Sequence, residues 1–330
     1  MEDYRAAFVD TELEKPFLVV HQVQPDKTLS ALQLTRGDFW LLARRAASKL
    51  RACGLQAGDV QIHFFSANTL GDLLYRLAAV MVGSVPATIN WQADTAERVL
   101  YKANLTNARL VLTDPGTPAE MLAQLHSSQP GLTILDATAT LDSVAPLAES
   151  EFAPSGGPDK TRMIIFTSGT TGAPKGVRLS YASYACNRAT FESFLGAADA
   201  STPLLCVAVN PLHHTNSTAI CDWAVRRPGA VLHLLERYTT AYWSLLARAG
   251  TGLSTQVGGA SATEAEWLSA LSERESSGAV VVAPLVSRHI DFLDALATEA
   301  ETHTGAADLV YSLRNTVHKQ SPTPNLRVQH

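Results

Sequence analysis

The sequence predicts an α/β protein: mixed, mostly parallel sheets flanked by helices, in two packed subdomains. Three observations carry this. Short apolar strands alternate with helical patterns along most of the chain, and strands separated in this way form βαβ units whose crossovers impose parallel pairing. Hydrophobic residues make up 46 % and charged residues 17 % of 330 residues, enough to bury a large core and too apolar for a disordered chain. A Pro-, Gly- and Ser-rich stretch, SEFAPSGGPDK (residues 150–160), interrupts the pattern midway. Residues 1–149 are therefore expected to form a first α/β subdomain, 150–160 a linker, 161–301 a second subdomain and 302–330 an irregular tail containing SPTPN.

Each element has its own signal. Asp38 reads as the cap of a helix carrying Phe39, Leu42, Ala46, Leu50 and Cys53, which Gly54 ends. Val60, Ile62 and Phe64 alternate with polar neighbours, as in a half-buried strand. Leu70, Leu73, Leu74, Leu77 and Met81 recur at helical spacing until Gly83. A short apolar strand at Val85–Ile89, a helix near Ala96–Leu105, strand ARLVLTD, helix PAEMLAQLHSS and strand LTILDA follow. After the linker come strand RMIIFT, a small-residue loop and a helix over Ser180–Leu195. Strand LLCVAV, a His-rich turn, strand AVLHLL and helix TAYWSLLARA precede a Gly-rich stretch. Helix AEWLSALSER, strand AVVVAP and helix VSRHIDFLDALATEA complete the pattern.

Composition excludes several classes. Lys and Arg total 26 against 31 Asp and Glu, a net charge of −5, which argues against nucleic acid as the main partner. No apolar run is long enough to span a bilayer. The acidic start lacks the basic-then-apolar layout of a secretion signal. Cys53, Cys186, Cys206 and Cys221 are scattered and form no C-x-x-C, so reduced thiols and a cytoplasmic location are expected.

The chemistry is concentrated in Ile164–Val177, IIFTSGTTGAPKGV. Gly169, Gly172 and Gly176 let the backbone turn sharply and approach a ligand. The hydroxyls of Thr167, Ser168, Thr170 and Thr171 add donors and Lys175 a positive charge, a combination suited to a polyphosphate. A bare connecting turn needs neither. The G-x-x-x-x-G-K-[ST] loop fails because Pro174 stands where it requires glycine, and no G-x-G-x-x-G occurs. A serine-hydrolase elbow fails at Thr263 of Gly259-Ala260-Ser261-Ala262-Thr263.

The string Thr167–Val177, T-S-G-T-T-G-x-P-K-G-V, resembles the phosphate-binding signature of the adenylate-forming superfamily: acyl- and aryl-CoA synthetases, peptide-synthetase adenylation domains and luciferases. Leu34–Asp59, Gly71–Asn90 and Ala108–Asp114 are similar to its early segments, and Asn210-Pro211-Leu212-His213-His214 resembles its P-L-F-H, so the likeness runs from Leu34 to about Leu296. It implies the N-terminal portion of such an enzyme, without the small C-terminal lid domain. It also implies a two-step reaction: a carboxylic acid attacks ATP, as its Mg²⁺ complex, to give an acyl-adenylate, and a thiol of coenzyme A or phosphopantetheine takes the acyl group. Thr167, Ser168, Gly169, Thr170, Thr171, Gly172 and Lys175 would hold the nucleotide phosphates, with Lys175 and His214 the catalytic candidates. Adjacent histidines on an extended segment face opposite sides, so one of His213 and His214 should reach a pocket; the match selects His214. No ligand spacing accompanies the pair, so no protein-held metal is expected. The polar run of Asn210, His214, Thr215 and Asn216 suits a small or polar acid.

The superfamily's later Tyr-Gly-x-Thr-Glu and Thr-Gly-Asp strings and its C-terminal lysine do not occur here; Thr251-Gly252-Leu253 lacks the aspartate. The expectation is a partial ligase, half of a split enzyme completed by a second chain, or a non-catalytic nucleotide-binding protein of the same fold. A carrier protein is the expected partner of the thiol step. Association with itself or a partner would cover the sheet edge and helix faces that a shortened fold leaves bare.

Overall fold

The computed structural model describes residues 2–25, 29–154, 157–167, 173–239, 241–248, 280–285, 289 and 291–292. Two single-turn helices, α1 (Glu2–Arg5) and α2 (Asp10–Leu13), precede the antiparallel strands β1 (Pro16–Val23) and β2 (Leu29–Thr35). Then come α3 (Arg36–Ala52), β3 (Val60–His63), α4 (Leu70–Val82), β4 (Val85–Thr88), α5 (Ala96–Thr106), β5 (Leu110–Thr113), α6 (Ala119–Ser128) and β6 (Thr133–Asp136). A 3₁₀ turn at Glu149–Glu151 leads to β7 (Thr161–Thr167), β8 (Lys175–Ser180), α7 (Tyr181–Phe194), β9 (Leu204–Ala208), α8 (Thr215–Arg226), β10 (Ala230–Leu235), α9 (Ala241–Arg248) and β11 (Val280–Val282).

The strands form two sheets, ordered β11-β9-β10-β1-β2 and β6-β5-β3-β4-β7-β8. Pairing is parallel except where β2 joins β1 and β8 joins β7 at the ends of the sheets. Helices α3, α4 and α8 share one hydrophobic core with strands of both sheets, through side chains such as Phe39, Leu77 and Trp223. The outer face of the longer sheet packs on α5 and α6 through Val99, Ala103 and Leu125, and that of the shorter on α9 through Tyr242 and Trp243. Mostly parallel sheets with helices on both faces match the expected fold class.

The sheets do not follow the division at residues 150–160. β7 and β8 extend the sheet begun by β3 to β6, while β1 and β2 pair with β10 from the far side of that segment. Edge hydrogen bonding between strands distant in sequence, rather than chain order, decides membership. β1, PFLVVHQV, is nearly continuous in apolar residues, the mark of a strand covered on both faces, but it lies before the first clear helix signal.

Several local readings are corrected. Thr35, not Asp38, caps α3: the Thr35 hydroxyl accepts from Asp38 N while Asp38 Oδ2 accepts from Thr35 N, a reciprocal capping box. β3 is buried throughout, with Gln61 and His63 inside and hydrogen-bonded, because β4 and β5 flank it and helices cover both faces. Gly83 ends α4 as expected, at φ 77°. The small-residue loop is shorter than expected because Lys175–Ser180 pairs antiparallel with β7. Most of the helices read at residues 265–274 and 286–300, and the whole tail at 302–330, lie outside the described residues; His289, Asp291 and Phe292 within the second helix are helical.

One buried polar pair crosses the shorter sheet. His21 of β1 and His233 of β10 meet at 2.9 Å between Nε2 and Nδ1, with His21 fully buried. Burial lowers the pKa of His21 to about 4; burial, and then His21 itself, lowers that of His233 to about 3. Between those values and the ordinary 6.5 the unfolded chain binds more protons, so stability is lost as pH falls through that window. The urea midpoint should be lower at pH 5 than at pH 7, and the difference should shrink in a His21→Leu/His233→Leu chain.

Candidate functional site

The candidate site lies where the strands of both sheets end. In α/β sheets the crevice outside the carboxyl ends of the strands is the usual ligand position, since loops there are free to vary while the sheet holds them. Asn68, in the loop after β3, ties the two sheets together there. Its Nδ2 donates to the carbonyls of Val209 (3.3 Å), Asn210 (3.2 Å) and Leu235 (3.0 Å), just past β9 and at the end of β10. Its Oδ1 accepts from Leu212 N at 2.8 Å, and its own N–H donates to Glu236 O at 3.1 Å.

The candidate phosphate segment is a hairpin. Thr167 is the last residue of β7 and Lys175 the first of β8; they pair, and the Thr167 hydroxyl donates to Lys175 O at 3.4 Å. Both are exposed at the hairpin mouth. Ser168, Gly169, Thr170, Thr171 and Gly172 lie outside the described residues. Gly176 pairs with Phe166, and a Cβ there would meet Ile164 Cγ2 at 3.1 Å and Phe166 Cε1 at 3.3 Å, so glycine lets β8 close over those side chains. The buried Lys102 of α5 holds the hairpin base from below: its Nζ sits 4.9 Å from the centroid of the Phe166 ring while pairing with Asp94, whose carboxylate also accepts from Asn90 N at 2.8 Å.

His213 and His214 lie in a turn rather than an extended segment, so their rings do not face opposite sides. They pack on each other with centroids 4.3 Å apart, and Trp91 stands edge-on to His213 at 6.1 Å. His213 is buried, with both ring nitrogens unpartnered among the described residues, and burial, then neighbouring His214, lowers its pKa to about 3. His214 occupies the N-cap position of α8, exposed, its pKa lowered by partial burial. Beneath the turn Arg76 donates to Leu212 O at 2.9 Å and to Asp72 Oδ1 at 2.6 Å. His63 Nδ1 also reaches Asp72 Oδ1 at 2.6 Å. Burial alone would raise the Asp72 pKa; Arg76 and the His63 hydrogen bond instead hold it at about 2.

A cavity of about 630 Å³ opens beside this turn. Asn210, His214, Asn216, Glu236 and Arg237 supply its polar lining, with Trp91 and Tyr238 among its aromatic walls. Arg237 is exposed and makes no hydrogen bond or ion pair with the described residues, whereas Glu236 accepts from Val23 N at 2.9 Å. The structure therefore brings His214 to a cavity and Thr167 with Lys175 to a hairpin, all on the carboxyl side of the strands.

A sequence model described as AMP-binding enzyme matches residues 17–258. The chain belongs to this family. It is 28 % identical over 251 residues to the sulfoacetate–CoA ligase of Cupriavidus necator, a match covering 72 % of this chain and 45 % of that ligase. It is 30 % identical over 256 residues to the phenyloxazoline synthase MbtB of Mycobacterium tuberculosis, covering 71 % of this chain and 17 % of the synthase. Among solved structures, o-succinylbenzoate CoA synthetase from Bacillus subtilis, in complex with its acyl-adenylate intermediate, superposes with a TM-score of 0.58 at 18 % identity, over 72 % of this chain and 56 % of that one. The chain thus spans about half the length of the CoA ligases it matches.

Within this AMP-binding fold, sequence reasoning missed Asn68, Lys102 and the His63–Asp72–Arg76 cluster. Asp72 and Arg76 stand at i, i+4 in a helix of otherwise apolar pattern, which was the available signal for a buried ion pair. Asn68 and Lys102 carry no such mark. Asn68→Ala should cost about 1–3 kcal/mol of unfolding free energy in urea titrations, because Leu212 N and three carbonyls lose a buried partner, whereas Asn216→Ala on the cavity wall should change stability little.

Proposed function

We propose that the chain provides the nucleotide- and acid-binding part of an adenylate-forming ligase. The observation that carries this is the placement of the Thr167/Lys175 hairpin mouth and the His214-lined cavity on the same side of the sheets. Backbone amides and hydroxyls of residues 167–172, namely Thr167, Ser168, Gly169, Thr170, Thr171 and Gly172, bind the β- and γ-phosphates of ATP, and Lys175 offsets their charge. The acid lies in the cavity beside His214, which at neutral pH is uncharged and orients the carboxylate by hydrogen bonding. One carboxylate oxygen attacks the α-phosphorus, the bond to the bridging oxygen breaks, and pyrophosphate leaves. The acyl group then passes to the thiol of coenzyme A or a carrier-protein phosphopantetheine, and AMP departs. The chain's part in the first step is positioning and charge compensation. Mg²⁺ would accompany the triphosphate as its counter-ion.

The acid we infer is small and carries a second anionic group. Arg237 on the cavity wall, without a hydrogen-bond or ion-pair partner among the described residues, supplies the complementary cation, and the polar Asn210 and Asn216 do not suit an alkyl chain. Sulfoacetate and o-succinylbenzoate, named for two of the relatives above, are acids of this kind.

ATP–pyrophosphate exchange with sulfoacetate, succinate, acetate and benzoate tests the reading. Exchange should favour the first two acids. Lys175→Ala should lower it about 10²- to 10³-fold, the loss typical of a preorganised charge-stabilising donor. Arg237→Ala should lower exchange about tenfold or more with the dianionic acids and leave acetate unchanged. Stabilisation by ATP with no exchange for any acid would instead support a non-catalytic nucleotide-binding role.

A further inference from the structure

We propose that a second cavity, at the opposite end of the longer sheet, binds a small organic anion: a carboxylate or phosphate ester on a compact apolar body. The cavity encloses about 480 Å³, within the range of roughly 300–1,000 Å³ usual for small-molecule sites. It lies where strands begin, with Gly58, Val85 and Thr161 on its wall just before or at the starts of β3, β4 and β7. The candidate active site lies where those strands end. Helix α8 links the two: His214 at its N-cap lines the first cavity and Arg226, its last residue, lines the second, twelve helical residues or about 18 Å away.

An unbalanced buried charge carries the argument. Arg76, Arg162 and Arg226 are all at most 5 % exposed, and among the described side chains only two carboxylates, Asp72 and Asp222, are buried with them. Asp72 pairs with Arg76. Asp222 is shared: Arg162 Nη2 lies 3.2 Å from Oδ1 and Arg226 Nε 2.8 Å from Oδ2. Tyr4 adds no charge; its hydroxyl donates to Asp222 Oδ1 at 2.6 Å, and burial raises its pKa well above the ordinary value. His63 is held neutral by its burial. Among the described side chains one guanidinium charge is therefore left over, and buried charges ordinarily have a counter-ion.

Arg226 is where that excess meets open space. Its Nη2 donates to Tyr184 O at 3.2 Å, and its Nη1 has no partner among the described residues. Lys160 and Arg178 stand exposed on the same cavity, and none of its described lining residues is acidic. Val80, Pro154 and Pro158 add apolar surface to the wall beside Tyr4 and Tyr181. A cationic floor under such a wall favours an anion attached to a hydrophobic body over a bare ion.

Binding of phenyl phosphate, benzoate and inorganic phosphate to the full chain, measured by isothermal titration calorimetry, tests the proposal. At least one organic anion should bind, inorganic phosphate should bind about tenfold more weakly or less, and the tighter of phenyl phosphate and benzoate distinguishes phosphate from carboxylate chemistry. A Lys160→Glu/Arg178→Glu chain should weaken that binding about tenfold or more, while Arg237→Ala in the other cavity leaves it intact. Should the double variant lose cooperative unfolding, Arg178→Gln replaces it, with a loss of binding in the same direction expected. Binding unchanged in the folded Lys160/Arg178 variants, binding abolished by Arg237→Ala, or no binding of either organic anion overturns the proposal. The outcome is separable from that of the ligase reading, since the variants at this cavity replace none of the residues proposed to bind the nucleotide or the acid, and the readout is anion binding rather than exchange.

Discussion

Asn68 sits where the loop after β3 crosses the ends of β9 and β10, and its side-chain amide meets three carbonyls and one N–H of the other sheet's loops. Val209, Asn210 and Leu212 lie past the end of β9, and Leu235 is the last residue of β10. A buried carbonyl or N–H without a partner is costly, so satisfying them fixes where β9 and β10 stop and where the Pro211–His214 turn begins. The position of His214 follows from that turn. Arg76 holds the same turn from beneath through Leu212 O, and Asp72 and His63 hold Arg76. The candidate site thus stands on a buried polar network that spans both sheets. Each of its members has a defined neighbour, which restricts the turn to one arrangement more effectively than apolar packing could.

The hairpin is supported differently. Thr167 and Lys175 are exposed, and their placement depends on what lies below them: the Phe166 ring, the missing Cβ of Gly176, and Lys102 balanced by Asp94. Thr167 and Lys175 thus stay accessible on a tightly packed base while the strands beneath keep their register. Arg162, one residue into the same strand β7, belongs to the charged cluster at the other end, so a single strand runs from the hairpin mouth to the second cavity.

Much of this was legible in the sequence. The alternation of strands and helices from Val60 to Asp136 and from Leu204 to Leu235 identified the elements, because parallel strands and their crossovers each leave a local pattern. The density of hydroxyls and glycines before Lys175 marked the stretch after β7 as a loop, although the antiparallel return of β8 was not read from it. What was not legible is non-local. Nothing near Phe17 or Leu18 says that β10 will be their partner, and Lys175–Ser180, exposed along most of its length, carries no alternation to mark it as a strand. Thr35 and Asp38 both suit a helix start, and only the reciprocal hydrogen bonds tell cap from third residue. The partners of Asn68 lie far along the chain, and Lys102 pairs with Asp94 eight positions before it, off the helical i, i+4 spacing, so the burial of neither has a local signature.

The pairing of β1 with β10 has a consequence for how the protein is made. His21 and His233 are neighbours in the sheet but 212 positions apart in the chain. During synthesis the apolar strand containing Phe17 and Leu18 leaves the ribosome long before its parallel neighbour exists, while β3 to β6 can find one another within a short span. The longer sheet can therefore begin to assemble on the nascent chain, whereas β1 waits as a hydrophobic ribbon paired only with β2. Completion of the shorter sheet is a late, long-range closure, and until then that ribbon is the segment most exposed to chaperones and to pairing with other nascent copies.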